Sequence, residues 1–404
     1  MKHIIILGDG MADLPIERLG GKTPLMVAKT PYIDELARKG RNGLLVTVPL
    51  DMPAGSEIAN MGVMGYDVHK VYDGRGVLEA ASMGVDIMEG DLGLRCNLIC
   101  LEDGNIKNHS AGHVSTDEAD VLIQMLNEKL GSDTIKFYTG VSYRHLLVIK
   151  GGNKHVKCTP PHDVPNAPSK SVMVEAKEAA ANETANLLNH LILQSQILLA
   201  NHPINVKRKA AGKDVANSIW PWSPGNKPLM PTLKEMYGVE KSAVISAVDL
   251  IQGIGVYAGM EVLKVEGVTG LYDTNYEGKA QAAIDALKGG ADLVYLHIEA
   301  SDEAGHEGDV ELKTRTIEYL DSRIVKPIVE AAKTMDEPLA IGILPDHPTP
   351  CELRTHTHDP IPFIIYRPGE EPDAVEFYDE ENAKDGAYGI LKENEFIKAL
   401  LGIK

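Results

Sequence analysis

Three short apolar runs, placed at the two ends of the chain, constrain the fold more than any other feature. His3 to Leu7 stops at Gly8-Asp9-Gly10. Asp292 to Ile298 (DLVYLHI) runs on toward Asp302, and Leu339 to Leu344 (LAIGIL) stops at Pro345-Asp346-His347-Pro348. Unalternated runs of β-branched and aliphatic residues fit strands covered on both faces, hence a largely parallel sheet flanked by helices. In such sheets ligands gather beyond the carboxyl ends of the strands, where each run places its acidic residues. Pro348 cannot continue a buried strand, so Asp346-His347 is expected at that edge. Thr30-Pro31 with Ile33, Leu36 and Ala37 marks a helix ending at Gly40, and Val310 to Met335 has helical periodicity. Pro362 to Tyr366 reads as a later strand and Phe396 to Leu401 as a closing helix. Strands alternating with helices predict a doubly wound α/β sheet assembled from both ends of the chain.

The middle has a different texture. From about Leu92 come shorter strand-like segments, Leu94 to Leu101 and His145 to Ile149, with helical stretches at Val114 to Leu130 and Val172 to Ala200. This predicts an inserted α+β cap domain over residues 92–230, leaving 1–91 and 231–404 as one discontinuous catalytic domain. Two domains also suit 404 residues, more than one hydrophobic core usually organises.

A net charge of −18 without any Lys/Arg run argues against a nucleic-acid partner. It does not forbid an anionic small substrate, because bound metal ions invert the local field. Ile4 to Leu7 is too short for a signal-peptide core or a membrane span, so no membrane association is expected. Cys96, Cys100, Cys158 and Cys351 have no CxxC spacing, which fits the reducing cytoplasm. The oligomeric state is unknown at this level.

Asp9, Ser56, Asp302, His306, Asp346, His347 and His356 together supply a hydroxyl nucleophile and a ligand set for two divalent metal ions, the equipment of phosphoryl transfer. Asp302 and His306 are four apart, so a helical turn or a compact loop turns both toward one cation. His356 and His358 are two apart, and either suits ligation. Ser56 follows Gly55 and precedes a helix-compatible stretch; it reads equally as an N-cap or as a nucleophile at a helix N-terminus. Neither GxxxxGK[ST] nor a kinase-type glycine loop is present, which argues against a nucleotide-dependent kinase.

Gly8-Asp9-Gly10, Ala54-Gly55-Ser56-Glu57-Ile58-Ala59-Asn60, Ser301-Asp302 to His306, Pro345-Asp346-His347 and His356-Thr357-His358-Asp359-Pro360 resemble, in this order, the alkaline phosphatase superfamily. Within it the chain is similar along nearly its whole length to the cofactor-independent (2,3-bisphosphoglycerate-independent) phosphoglycerate mutases of the shorter archaeal type. The resemblance implies an alkaline-phosphatase-like sheet with an inserted cap. It also implies one metal on Asp302, His306 and His356 and another on Asp9, Ser56, Asp346 and His347. The metals would be Mn2+ or Zn2+, with no 2,3-bisphosphoglycerate required. The implied reaction interconverts 3- and 2-phosphoglycerate through phosphorylated Ser56, a step of glycolysis and gluconeogenesis. His356, not His358, occupies the family's ligand position. Where archaeal-type mutases carry Arg-Gly-Ala-Gly, this chain has Ala216-Asn217-Ser218-Ile219-Trp220-Pro221-Trp222-Ser223-Pro224-Gly225. That variant resembles a branch proposed at times to act as homoserine kinase, and a metal-dependent phosphomonoesterase is a further alternative on the same fold. Candidates to bind a small phosphorylated substrate are Arg144, His162, Lys207 and Arg208.

Overall fold

The computed structural model describes residues 1–403 and divides into two compact units, Met1–Tyr72 with Met230–Lys404, and Asp73–Leu229. The first is built on an eight-stranded sheet in the order Glu261–Val262, Ser242–Ile245, Leu293–Ile298, Lys2–Gly8, Leu339–Leu344, Ile361–Tyr366, Arg41–Val46, Ile390–Lys392. The three runs singled out above are its centre: Lys2–Gly8 lies parallel between Leu293–Ile298 and Leu339–Leu344, with Gly8 opposite Ile298 and Leu7 opposite Leu344. All three strands are almost wholly buried, as continuous apolar runs require.

One strand is reversed. Ile361–Tyr366 is antiparallel to both its neighbours, Leu339–Leu344 and Arg41–Val46. Its amino end therefore lies at the edge where the parallel strands finish, which brings the loop containing His356 to Asp9 and Asp346. The helical stretch from Val310 is continuous but loosened: Val310–Tyr319 and Lys326–Ala332 flank a π-helical turn, Leu320–Val325. Asp321 in that turn accepts from the Tyr32 and Ile33 backbone N–H groups at 2.9 and 2.7 Å, capping the Pro31–Lys39 helix.

The second unit is an antiparallel sheet centred on Leu92–Glu102, which pairs with Asn105–Asn108, Arg144–Ile149 and Ser218–Gly225; Ile135–Tyr138 adds to Arg144–Ile149. Leu147 and Ile149 join the larger core with the Thr116–Leu130 and Asn182–Leu199 helices. Leu146 and Val148 point the other way, into a small core with Val77, Ala80 and Ile87. That second face explains a shifted boundary. The unit begins at Asp73, not Leu92, because the Arg75–Ser82 helix covers the opposite side of this sheet. The helix expected from Val172 starts only at Asn182, since the Asn189 side chain takes both the N–H and the carbonyl of Val174 and holds that segment extended.

Candidate active site

The site is assembled at the carboxyl edge of the first unit's sheet. Gly10, at φ 60°, turns the chain sharply after Asp9, and a Cβ there would stand 2.5 Å from Asp302 Oδ1. Its N–H donates to Asp346 Oδ1 at 3.1 Å, tying two strand ends together. Asp302 and His306 lie on the Ala300–Glu307 helix, where Gly305 allows a close approach: a Cβ would be 2.4 Å from the Thr349 carbonyl. Ser56 is the first residue of the Ser56–Val63 helix, behind Gly55 at the N-cap, and its hydroxyl makes no cap bond. Instead Ser56 Oγ lies 3.1 Å from His347 Nε2. The N-cap reading of Ser56 is thereby set aside.

Hydrogen bonds assign the ring protons. His306 Nδ1 lies 3.0 Å from the Arg354 carbonyl and His356 Nδ1 2.8 Å from that of Ala54. Carbonyls only accept, so both rings donate from Nδ1, and in the neutral form each leaves Nε2 as a lone pair. The two Nε2 atoms face each other at 2.9 Å, within 3.2 and 3.4 Å of the Asp302 carboxylate. Facing lone pairs at this separation need a proton or a cation between them. His347 follows the same rule: the Thr349 hydroxyl gives its hydrogen to Asp302 Oδ1 at 2.5 Å, so it accepts from His347 Nδ1 at 3.3 Å. His347 Nε2 is then a lone pair 3.4 Å from Asp346 Oδ2 and 3.6 Å from Asp9 Oδ1. Nδ1–H given to the protein and Nε2 left open is the arrangement that orients metal-ligating imidazoles. His358 does the reverse, donating from Nε2 to the Met52 carbonyl at 2.8 Å.

The ionisable groups register surplus negative charge. Burial pushes the Asp9 carboxyl well above the usual range, and the charge of Asp346 adds to it. Glu299 rises to about 8, again from burial first and Asp302 second. At Asp302 burial opposes ionisation, but the hydrogen bonds of His306 and His356 outweigh it and hold the carboxyl well below the ordinary value. The same pairing lifts His306 to about 9. Asp9 Oδ1 and Glu299 Oε2 are buried without a hydrogen-bond partner. Ligand atoms lie within 4.8 Å of one another in three groups: Asp302 with His347 and His356, Asp9 with Asp346 and His347, and Asp9 with His297 and Glu299.

Three residues here escaped the sequence reading. His297 Nε2 is 2.9 Å from Asp9 Oδ2. Tyr295 donates to Asn60 Oδ1 at 2.6 Å, and Asn60 Nδ2 donates to Asp346 Oδ2 at 2.8 Å and to the Ser56 carbonyl at 2.9 Å. Tyr295 and His297 sit inside DLVYLHI, where their spacing of two was the available signal that one face of the strand carries polar groups.

The four substrate-side candidates all lie in the second unit, and the structure separates them. Arg208 is 3% exposed and held on three sides: Nε donates to the Asp214 carbonyl at 2.8 Å, NH2 to that of Ala111 at 2.7 Å, and NH1 to Glu118 at 2.5 Å. With three N–H groups spent on partners inside its unit and the side chain buried, it is placed as a structural clamp, a correction to its place among the candidates. Lys207 is exposed on the Pro203–Ala210 helix. Arg144 and His162 join a ring cluster that the sequence did not reveal. His109 packs edge-on to Tyr143 and His162 at 5.8 and 6.0 Å, and His162 to Trp222 at 5.1 Å. The Arg95 and Arg144 guanidinium groups lie over Trp222 and Tyr143 at 5.0 and 5.8 Å.

A doubly wound sheet whose carboxyl edge gathers a helix-terminal serine, buried aspartates and three imidazole nitrogens turned to one another defines the chain as an α/β enzyme with its chemistry at that edge. Comparison narrows the class. A family model described as 2,3-bisphosphoglycerate-independent phosphoglycerate mutase matches residues 37–205. The protein of that name from Methanosarcina barkeri is 49% identical, with 100% of each chain covered, and that from Thermococcus gammatolerans is 36% identical over 100% of this chain and 97% of its own. Among solved structures, the PH0037 protein from Pyrococcus horikoshii superposes with a TM-score of 0.83 at 30% identity, covering 99% of this chain and 97% of that one. The cofactor-independent phosphoglycerate mutase from Thermoplasma acidophilum gives 0.70 at 26% identity, covering 100% and 99%. The chain belongs to the 2,3-bisphosphoglycerate-independent phosphoglycerate mutase family.

Proposed function

We propose that this protein interconverts 3- and 2-phosphoglycerate through a phosphoserine at Ser56, using two divalent cations and no 2,3-bisphosphoglycerate. The observation that carries the reading is the convergence on Ser56 Oγ of the His347 Nε2 lone pair, beside the unpartnered Asp9 Oδ1 and the facing Nε2 atoms of His306 and His356. These donors fit two cations, one held by Asp302, His306 and His356 and one by Asp9, Ser56, Asp346 and His347, and their mixed oxygen and nitrogen character suits Mn2+ or Zn2+. When bound, such ions supply Lewis-acid polarisation of the phosphoryl oxygens and ease deprotonation of an alcohol.

The chain's own residues do the rest. Ser56 Oγ attacks phosphorus; the Oγ–P bond forms as the bond from phosphorus to the substrate's O3 breaks, and the proton given up by Oγ ends on O3, releasing glycerate. The N–H groups in the first turn of the Ser56–Val63 helix favour the negative charge of the new ester. The O2 hydroxyl of the retained glycerate then attacks the phosphoserine, restoring Ser56. Arg144 and His162, which share a ring cluster with His109 and Trp222 inside the second unit, remain our candidates to bind a small phosphorylated substrate. No described helix is long and apolar enough to cross a membrane, and the expectation of a cytoplasmic enzyme acting on a small phosphorylated substrate stands as part of this proposal.

The test is an enolase-coupled assay of the Mn2+-loaded protein with 3-phosphoglycerate, with homoserine plus ATP as a parallel reaction, alongside Ser56→Ala. Mutase turnover that Ser56→Ala abolishes supports the reading. Turnover that survives in Ser56→Ala refutes the phosphoserine, and phosphate release without 2-phosphoglycerate refutes the mutase in favour of a phosphomonoesterase.

A further inference from the structure

His297 is the fourth imidazole at the site, and its protonation is the opposite of the other three. Its ring is fully buried in the Leu293–Ile298 strand, and Lys279 Nζ donates to its backbone carbonyl at 3.1 Å. At one end of the ring, Nδ1 lies 3.0 Å from Ser246 Oγ. That hydroxyl already accepts from the Val248 N–H at 3.0 Å, and Ser246 is 4% exposed. Among the described residues, the acceptor within reach of its hydrogen is His297 Nδ1. At the other end, Nε2 lies 2.9 Å from Asp9 Oδ2, and with a cation on Asp9 that carboxylate is ionised and only accepts. Both ends therefore place the ring proton on Nε2. A protonated Nε2 has no lone pair for a metal, so proximity of Asp9, His297 and Glu299 does not make them a cation site of their own.

The consequence falls on Asp9. One of its oxygens is taken by a hydrogen bond while the other, Oδ1, is buried without a partner and faces His347 Nε2 at 3.6 Å. We propose that His297, set by Ser246, is a positioning residue: it donates Nε2–H to Asp9 Oδ2 and so presents Oδ1 alone to the cation. The chain Ser246, His297, Asp9 runs across the ends of three neighbouring strands, Ser242–Ile245, Leu293–Ile298 and Lys2–Gly8, and makes the direction of the carboxylate a property of the sheet. A freely rotating Asp9 would take a cation with both oxygens or with neither. The inference rests on the reading of Asp9 as a cation ligand in the proposed function.

Two measurements test it on the full chain. In Zn2+-loaded protein labelled with 15N-histidine, the His297 ring is expected as the Nε2–H form, with Nδ1 showing the shift of a hydrogen-bonded, unprotonated nitrogen; Nδ1–H would overturn the inference. Mn2+ titration then compares His297→Leu with His297→Gln, whose amide N–H reaches the place of Nε2. His297→Leu is expected to lower Mn2+ affinity roughly 10–100-fold, as loss of an outer-sphere partner does, with His297→Gln recovering most of it. Equal affinity in all three proteins overturns the positioning role while leaving the metal reading intact. Absence of Mn2+ binding to the unmodified protein overturns the metal reading, and the inference with it.

Discussion

Replacing Lys313 with Met tests how the two loops that carry the site are held. Lys313 is 0% exposed on the Val310–Tyr319 helix, and its three ammonium hydrogens go to the Ala12 carbonyl at 2.9 Å, Asp13 Oδ2 at 2.9 Å and the Thr349 carbonyl at 2.8 Å. Asp13 is itself 4% exposed and keeps the N–H groups of Cys351 and Leu14 and the Cys351 thiol, none of them a counter-charge. Lys313→Met therefore leaves a buried carboxylate without its counter-charge, a loss of about 3–5 kcal/mol. Two buried carbonyls also lose a donor, so the upper part of that range is expected, a large share of a total stability of about 5–15 kcal/mol. Adding Asp13→Asn removes the orphaned charge and should recover roughly 2–3 kcal/mol. The assay is urea unfolding followed by far-UV circular dichroism, because both tryptophans, Trp220 and Trp222, belong to the other unit and fluorescence would miss the event. The site should feel the change as well, since Thr349 bonds both Asp302 and His347. A single variant costing less than about 1 kcal/mol, or a double variant costing the sum of the two singles, would refute the account of a buried charge pair.

In chelator-treated protein, the His306 pKa of about 9 lies above its ordinary 6.5, so the stability it contributes is complete below pH 6.5 and is lost as pH rises through 9; urea midpoints across this window should fall in the parent and stay flatter in His306→Gln. His356→Ala should cost metal occupancy and nearly all activity, whereas His358→Ala, whose Nε2 is spent on the Met52 carbonyl, should lose roughly 10–100-fold in activity with metal retained; metal analysis of both variants decides. Arg208→Met should lower stability by about 3 kcal/mol with KM unchanged, while His109→Ala and Arg144→Ala raise KM at unchanged stability; a raised KM in Arg208→Met would return it to the substrate side.

The gathering of acidic residues and histidines at one sheet edge was legible because they follow uninterrupted apolar runs, an event with few physical explanations in a buried sheet. Asp9, Asp302, Asp346 and His347 announce themselves in that way. The supporting groups do not. Tyr295 and His297 lie within an apolar run and look like part of it, and Lys313 has the helical position of a solvated lysine until the loops it bridges are folded over it. The start of the second unit was hidden for a related reason: the Arg75–Ser82 helix packs on a face of the sheet made by Leu146 and Val148, residues some seventy positions away, and no shift in composition marks Asp73. Arg208 is the converse case. Its neighbours Lys207 and Lys209 make it look like surface charge, and only the carbonyls of Ala111 and Asp214 show that it faces inward.

The position of the first strand has a consequence for biosynthesis. Lys2–Gly8 leaves the ribosome well before both of its partners, Leu293–Ile298 and Leu339–Leu344. The apolar segment from Ile4 to Leu7 must therefore wait, unpaired, until Leu293–Ile298 has been made, the period in which such segments are exposed to aggregation. Residues 73–229, in contrast, are continuous and hold their own core, so they are free to fold while the first strand is still without a sheet. On this order of events the catalytic edge is the last part of the molecule to exist, and a chain halted at residue 290 should show the protected amides of the second unit but none in residues 2–8 when pulsed with deuterium.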